Sequence, residues 1–209
     1  MNNTERNLEN VESLTNSPLK GKRIAFLGSS ITYGSGSNGV SFVEYIAKRN
    51  NCRYLKEAVS GTTLVENTPE SYIKRLRTMD VNEKFDIFVC QLSTNDAAQN
   101  MPLGDIGDND TSTVTGAIRF IYKYVQEKWH CPFVMYASAH FESKNYQAMV
   151  KRVKEMNYIN LIDMYSDVNF NNISNEQRKL FMLDDIHPTQ AGYLEWWTPY
   201  IEEALYKIT

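Results

Sequence analysis

Five short apolar runs, each halted by small polar residues and each followed by a stretch of helical patterning, constrain this chain more than any other feature. The runs are Arg23–Gly28, Arg53–Val59, Phe85–Leu92, Pro132–Ser138 and Tyr158–Met164. Short, nearly continuous apolar runs bounded by turn residues are what strands buried on both faces require. Between and after them, Ser41–Lys48, Pro69–Met79, Thr113–Trp129, Lys144–Met156 and a last stretch from about Thr189 to Ile208 place apolar residues at helical spacing. Strand and helix in regular alternation imply right-handed crossovers and a parallel sheet covered on both sides. The predicted fold is α/β: a three-layer α/β/α sandwich around a five-stranded parallel sheet, with flavodoxin-like topology.

At 209 residues the chain suits one well-buried domain, expected over residues 22–209, with residues 1–21 as a polar leader. A net charge of -3 gives no reason to expect a nucleic-acid partner. The leader has no apolar segment of signal-peptide or membrane-spanning length, so a cytoplasmic protein without a membrane span is expected. Cys52, Cys90 and Cys131 are far apart and lack metal-binding spacing; free thiols in a reducing compartment are the simplest account. No strand is followed by GxGxxG or GxxxxGK[ST], which argues against a nucleotide- or flavin-binding protein on the same fold, and no cofactor is expected.

In an open parallel sheet, ligands sit beyond the carboxyl ends of the strands. Ser30, Gly61 and Asn95 directly follow three successive strands and so share that rim, and His187, on the loop before the last helix, can return to it. Taken singly, each residue has a commoner role in a turn or cap. Together they supply the parts of an acyl transfer. Ser30 needs a base to take its proton, which His187 provides, and Asp184, with Asp185 as its neighbouring competitor, can orient the imidazole. The backbone N–H groups of Ser30 and Gly61 and the side-chain amide of Asn95 are donors for a developing oxyanion. Glycine at 61 would permit close approach.

These residues resemble the four sequence blocks of the SGNH (GDSL-type) hydrolases, over about Lys22 to Tyr193. Gly28-Ser29-Ser30-Ile31-Thr32 is similar to the block that carries the nucleophile, and Gly61 to the glycine of the second. Ser93-Thr94-Asn95-Asp96 is similar to the third, and Asp184-Asp185-Ile186-His187-Pro188 to the last. The resemblance implies a metal-free serine hydrolase of carboxylic esters, acting on a small-molecule ester or an acylated sugar. Ser29 and Ser93 depart from the family's usual Asp and Gly, and a non-catalytic binding protein on this scaffold is the alternative they raise. A carbohydrate O-acetyl esterase is the narrower reading, prompted by Tyr33, Tyr136 and Phe141 near the rim. Tyr33 and His140 are the candidate substrate contacts. Residues 96–113 form a long polar connection that reads as a lid. Asp105, Asp108 and Asp110 read as a solvated loop, because their spacing fails the EF-hand pattern, and His130 as a helix-end residue.

Overall fold

The computed structural model describes residues 4–209, so the first three residues of the leader lie outside the described residues. Five parallel strands, β1 (Arg23–Gly28), β2 (Arg53–Ala58), β3 (Ile87–Gln91), β4 (Phe133–Ala137) and β5 (Asn160–Asp163), form one sheet in the order β2-β1-β3-β4-β5. That is the flavodoxin-like order, and it makes the chain the α/β sandwich its patterning predicts. The register sets Gly28 beside Ala58, Leu27 beside Cys90, Gln91 beside Tyr136 and Ala137 beside Asp163. The five strand ends therefore stand nearly level, and everything just beyond them faces one rim.

The helices are α1 (Ser30–Tyr33), α2 (Phe42–Asn50), α3 (Tyr72–Leu76), α4 (Thr94–Ala98), α5 (Val114–Lys128), α6 (Lys144–Glu155), α7 (Val168–Asn171), α8 (Asn175–Phe181) and α9 (Thr198–Tyr206). Successive strand residues point to opposite faces, so the sheet feeds two cores. Ala25, Leu27, Phe88 and Met135 pack with α3, α5 and α6; Ile24, Phe26, Val89 and Tyr136 pack with α2 and α9. In the second core Phe42 lies edge-on to Tyr136, ring centroids 5.1 Å apart. Truncating so buried a ring costs about 3–5 kcal/mol.

Local chemistry sets the helix limits. Ser41 and Glu44 form a capping box at the start of α2, and Asn51 ends it in the left-handed region at φ 49°. The predicted last helix runs unbroken from Gln190 to Tyr206, but Gly192–Trp197 within it winds as a π-helical turn before α9 begins. Pro199, in the first turn of α9, has no N–H to give to the preceding turn. The stretch predicted as a helix from Pro69 contracts to the five residues of α3, because Tyr72 N–H turns aside to bond Thr63 O at 2.9 Å.

Residues 4–21 are tied onto α2 and its flanks. Tyr45 donates to Arg6 O at 2.8 Å, Ser13 Oγ to Lys48 O at 2.9 Å, and Val11 and Leu19 are buried in the second core. Among the described residues no helix is long and apolar enough to cross a membrane.

Candidate active site

The turn after β1 has no room for a side chain at Gly28. A Cβ on Gly28 would lie 1.8 Å from Thr32 Oγ1, so only glycine lets the chain fold back into α1 here. The turn's buried N–H groups need acceptors, and the side chain of Gln91, at the end of β3, supplies one. Gln91 Oε1 accepts from Ser29 N at 2.9 Å, Thr32 Oγ1 at 2.8 Å and Thr32 N at 3.3 Å, while Gln91 Nε2 donates to Ser29 Oγ at 3.1 Å. Tyr136, buried below the turn, meets Thr32 Oγ1 at 2.7 Å, and Tyr193 donates to Ile31 O at 2.7 Å. Ser29 is thus a neutral partner for a neutral amide. Tyr136, expected near a ligand, is a buried support instead.

His187 arrives on a short loop with its own closure. Leu183 N–H bonds His187 O at 2.8 Å, Thr189 N–H bonds Phe181 O at 2.8 Å, and Met182 bridges Pro188. The loop packs against residues 35–37, where a Cβ on Gly36 would fall 2.4 Å from Pro188 O and 3.2 Å from His187 Cβ. Glycine at 36 therefore allows the loop to sit this close.

The two pieces meet. His187 Nε2 lies 2.8 Å from Ser30 Oγ, and His187 Nδ1 lies 2.8 Å from Asp184 Oδ2. With the Nδ1 proton directed at the carboxylate, Nε2 is left as the acceptor for the serine hydroxyl. Asp184 Oδ1 also accepts from Ile186 N at 2.8 Å and His187 N at 2.7 Å. Partial burial pushes the Asp184 pKa up, but these bonds outweigh it and hold the carboxyl below the ordinary range. Asp185 points outward, 89% exposed, toward Arg178 at 3.5 Å. Of the two neighbouring carboxylates, Asp184 is the one at the imidazole.

The remaining rim residues are linked through Thr62. Asn95 Nδ2 donates one proton to Thr62 O at 2.8 Å, leaving its second free to point elsewhere, and Ser93 Oγ reaches the same oxygen at 3.4 Å. Ser93 also caps α4, accepting from Asn95 N and Asp96 N, which gives its hydroxyl a role where the family usually has glycine. Asp96 is buried and accepts from Leu64 N at 2.7 Å and Val65 N at 3.1 Å; burial raises its pKa despite those bonds. Arg75 joins this loop to β1 and β2: its guanidinium donates to Gly28 O at 2.8 Å, Glu57 O at 2.8 Å and Thr62 Oγ1 at 3.1 Å. Gly61 has φ +80° with open space where a Cβ would stand. Backbone conformation, rather than crowding, requires glycine there.

Gln91, Arg75 and Gly36 are the supports that sequence reasoning misses. Two left a trace: Gln91 is a polar residue closing an otherwise apolar run, and Arg75 a basic residue among the apolar positions of α3. Gly36 left none beyond its glycine-rich loop.

Tyr33 is 45% exposed, its ring 5.6 Å from Lys56 Nζ. His140 packs at a tilt of 38° against Tyr165 with ring centroids 4.8 Å apart and lines a cleft of about 580 Å³ that includes Thr94, Ala98, Phe141, Arg178 and Ile186. Since Thr94 adjoins Asn95 and Ile186 adjoins His187, this cleft borders the Ser30–His187 pair. The connection read as a lid is held to the body: Thr115 Oγ1 bonds Leu103 O at 2.6 Å, and Arg152 bonds Gly104 O. Within it, Asp108 and Asp110 are occupied by Thr113, Asp110 N and Ser112 N. Among the described residues no group of three or more His, Cys, Asp or Glu side chains is arranged to hold a metal ion.

The sequence profile of the GDSL-like lipase/acylhydrolase family matches residues 26–194, most of the chain. The chain belongs to that family. Solved structures agree on the fold of this GDSL-like protein. One from Lactobacillus plantarum is 22% identical, with a TM-score of 0.72 over 90% of this chain and 96% of its own. A structure from Bacteroides ovatus that carries the name of a GDSL-like lipase is 17% identical, with a TM-score of 0.62 over 90% and 99%. A family two carbohydrate esterase from Clostridium thermocellum, solved with cellohexaose, is 17% identical, with a TM-score of 0.61 over 92% of this chain and 66% of its own. No curated protein matches the chain significantly. Family and neighbours together support ester hydrolysis in general.

Proposed function

We propose that this GDSL-like protein is a serine hydrolase that cleaves carboxylic esters through an acyl-enzyme. The observation that carries the reading is the unbroken line from Asp184 through His187 to Ser30, with both links at 2.8 Å. Ser30 Oγ attacks the ester carbonyl as its proton passes to His187 Nε2, and the carbonyl π electrons move onto oxygen. The oxyanion is received by the N–H groups of Ser30 and Gly61 and by the free proton of Asn95 Nδ2. As the tetrahedral intermediate collapses, the carbonyl re-forms, the alkoxide leaves and takes the proton from His187. Water, deprotonated by the same nitrogen, then attacks the acyl-serine, releasing the acid and returning the proton to Ser30. Throughout, Asp184 keeps the imidazole in the required tautomer and stabilises it when charged.

The cleft beside His187 has surface for both parts of an ester. Glu142, Arg178 and Asp185 line it together with Ala98, Phe141 and Ile186, so polar groups for an alcohol stand beside apolar surface for an acyl group. An O-acetylated sugar is the narrower substrate class, and the carbohydrate esterase neighbour supports it. Three unpaired cysteines fit a reducing, cytoplasmic setting.

The test is Ser30→Ala assayed on short-chain and long-chain p-nitrophenyl esters and on acetylated sugars, with fluorophosphonate labelling of the native protein. The expected result is label on Ser30, release of acetate in preference to longer acids, and a loss of turnover on the order of 10⁴-fold in the variant. Unlabelled Ser30 in folded protein, with equal rates for both proteins, would leave a binding protein as the answer.

A further inference from the structure

A second concavity, of about 890 Å³, runs between α6 and the segment that carries α7. His140 lines both this groove and the cleft beside His187, so the two are neighbours across one imidazole. α6 starts near the rim, because it follows β4, and runs back along the sheet. Its exposed face makes one wall of the groove and carries it away from the candidate active site.

The chemistry of the groove is specific. Four lining side chains, Lys144, Gln147, Lys151 and Asn172, offer donors that bond no other described group. Lys144 and Lys151 are two helical turns apart, about 10 Å along α6, with Gln147 between them. The groove's third lysine is paired, and its one carboxylate has only neutral donors. Lys154 pairs with Asp163, and Asp167 accepts from Phe170 N at 2.9 Å and Tyr200 Oη at 2.7 Å. Lys144 and Lys151 thus form no ion pair with a described group, and the three lining lysines outnumber the single lining carboxylate, beside free amides and the apolar surfaces of Ala148 and Val168, the latter 80% exposed. Carboxylates suit the ammonium groups, hydroxyls the amides, and the C–H face of a sugar ring the apolar strip.

We propose that this groove is a subsite for an acidic saccharide, the part of the substrate that extends from the acylated sugar past His140. The inference rests on the ester-hydrolase reading for its orientation. An acidic peptide or a nucleic acid would satisfy the lysines but not the combination of free amides, apolar strip and continuity with the cleft.

Binding is measured by calorimetric titration of the full chain, as wild type and as Lys144→Glu/Lys151→Glu, with unesterified oligogalacturonate, with a neutral cello-oligosaccharide of equal length, and with poly-glutamate. The expected outcome is about 10-fold or tighter binding of the uronate over the neutral sugar, weakened by salt and abolished as a preference in the double variant. Equal affinity for uronate and neutral sugar, unchanged uronate binding by the variant, or poly-glutamate binding as tightly as the uronate would each overturn the proposal. Because this titration reads binding without turnover, its failure is separable from failure of the Ser30→Ala test. In turnover, the variant should lower the kcat/KM ratio for acetylated uronate over acetylated neutral oligosaccharide by a similar factor.

Discussion

The two halves of the candidate site are built on opposite plans. On the Ser30 side, Ser29, Thr32, Gln91 and Tyr136 are wholly buried and Ser30 is 6% exposed. Their polar atoms are bonded to one another across β1, β3 and β4. On the His187 side, the Asp184 side chain is 52% exposed and its carboxylate bonds only residues within its own turn. The hydroxyl is held by the sheet, whereas the imidazole is held by a five-residue loop resting against residues 35–37. A fault in the first half should therefore propagate into stability, and a fault in the second should stay in the chemistry.

The sharpest way to break this contrast is on the exposed side. Asp184→Asn removes the charge that fixes the His187 tautomer while keeping the loop's shape, so kcat/KM for a short ester should fall by about 10²- to 10⁴-fold. Asp185→Asn should leave it within about 2-fold. Midpoints of urea unfolding should barely move in either variant, since substitutions on exposed groups stay near ±0.5 kcal/mol. Equal loss of activity in the two variants, or a collapse of stability in Asp184→Asn, would erase the distinction between the halves.

On the buried side the expectation reverses. Gln91→Leu is close in volume but strands the N–H groups of Ser29 and Thr32 and the hydroxyls of Ser29 and Thr32 without their acceptor and donor. Each buried group left unsatisfied costs about 1–3 kcal/mol, and local relaxation recovers part of it, so a loss of about 2–4 kcal/mol is expected. Denaturant unfolding measures it. Fluorophosphonate labelling of Ser30 in the same variant should slow as well, because the turn that presents the hydroxyl is no longer fixed. Unchanged stability with fast labelling would mean that Gly28 alone shapes the turn.

The same contrast explains what was legible in the sequence. The alternation of apolar runs and helical stretches specified the sheet, because a parallel strand must be apolar along its whole length whatever its neighbours are. Ser30, Asp184 and His187 stood out because small residues after a strand and a polar loop before a helix are visible locally. Gln91 and Arg75 were not, since their meaning lies in bonds to residues 59 to 62 positions and 13 to 47 positions away. Tyr136 misled for the same reason: an aromatic residue near a strand end can face solvent or the layer beneath, and only the register with Gln91 decides. The last helix was legible from its apolar periodicity, whereas the π-helical turn inside it was not, since a local change of winding leaves the apolar pattern in place.

The smallest effect, and the subtlest comparison, is in acid. Asp184 and Asp96 flank the site, but their pKa values move in opposite directions. Bonds from His187 and Ile186, prevailing over partial burial, lower that of Asp184. Burial, prevailing over bonds from Ser93, Leu64 and Val65, raises that of Asp96. A carboxyl with a depressed folded pKa adds stability that is present above its unfolded value, near 3.8, and lost as pH falls through the folded value. One with a raised folded pKa adds stability that is present below that unfolded value and lost as pH rises through the folded one. Relative to wild type, Asp184→Asn should therefore flatten the fall of Tm on acidification from about pH 6 to about pH 3, and Asp96→Asn should steepen it. Because Asp184 is half exposed, its share is reduced by solvent screening and should be the smaller of the two. Parallel shifts of the two Tm-against-pH curves, with no change of slope, would mean that neither carboxyl is held by the groups that surround it here.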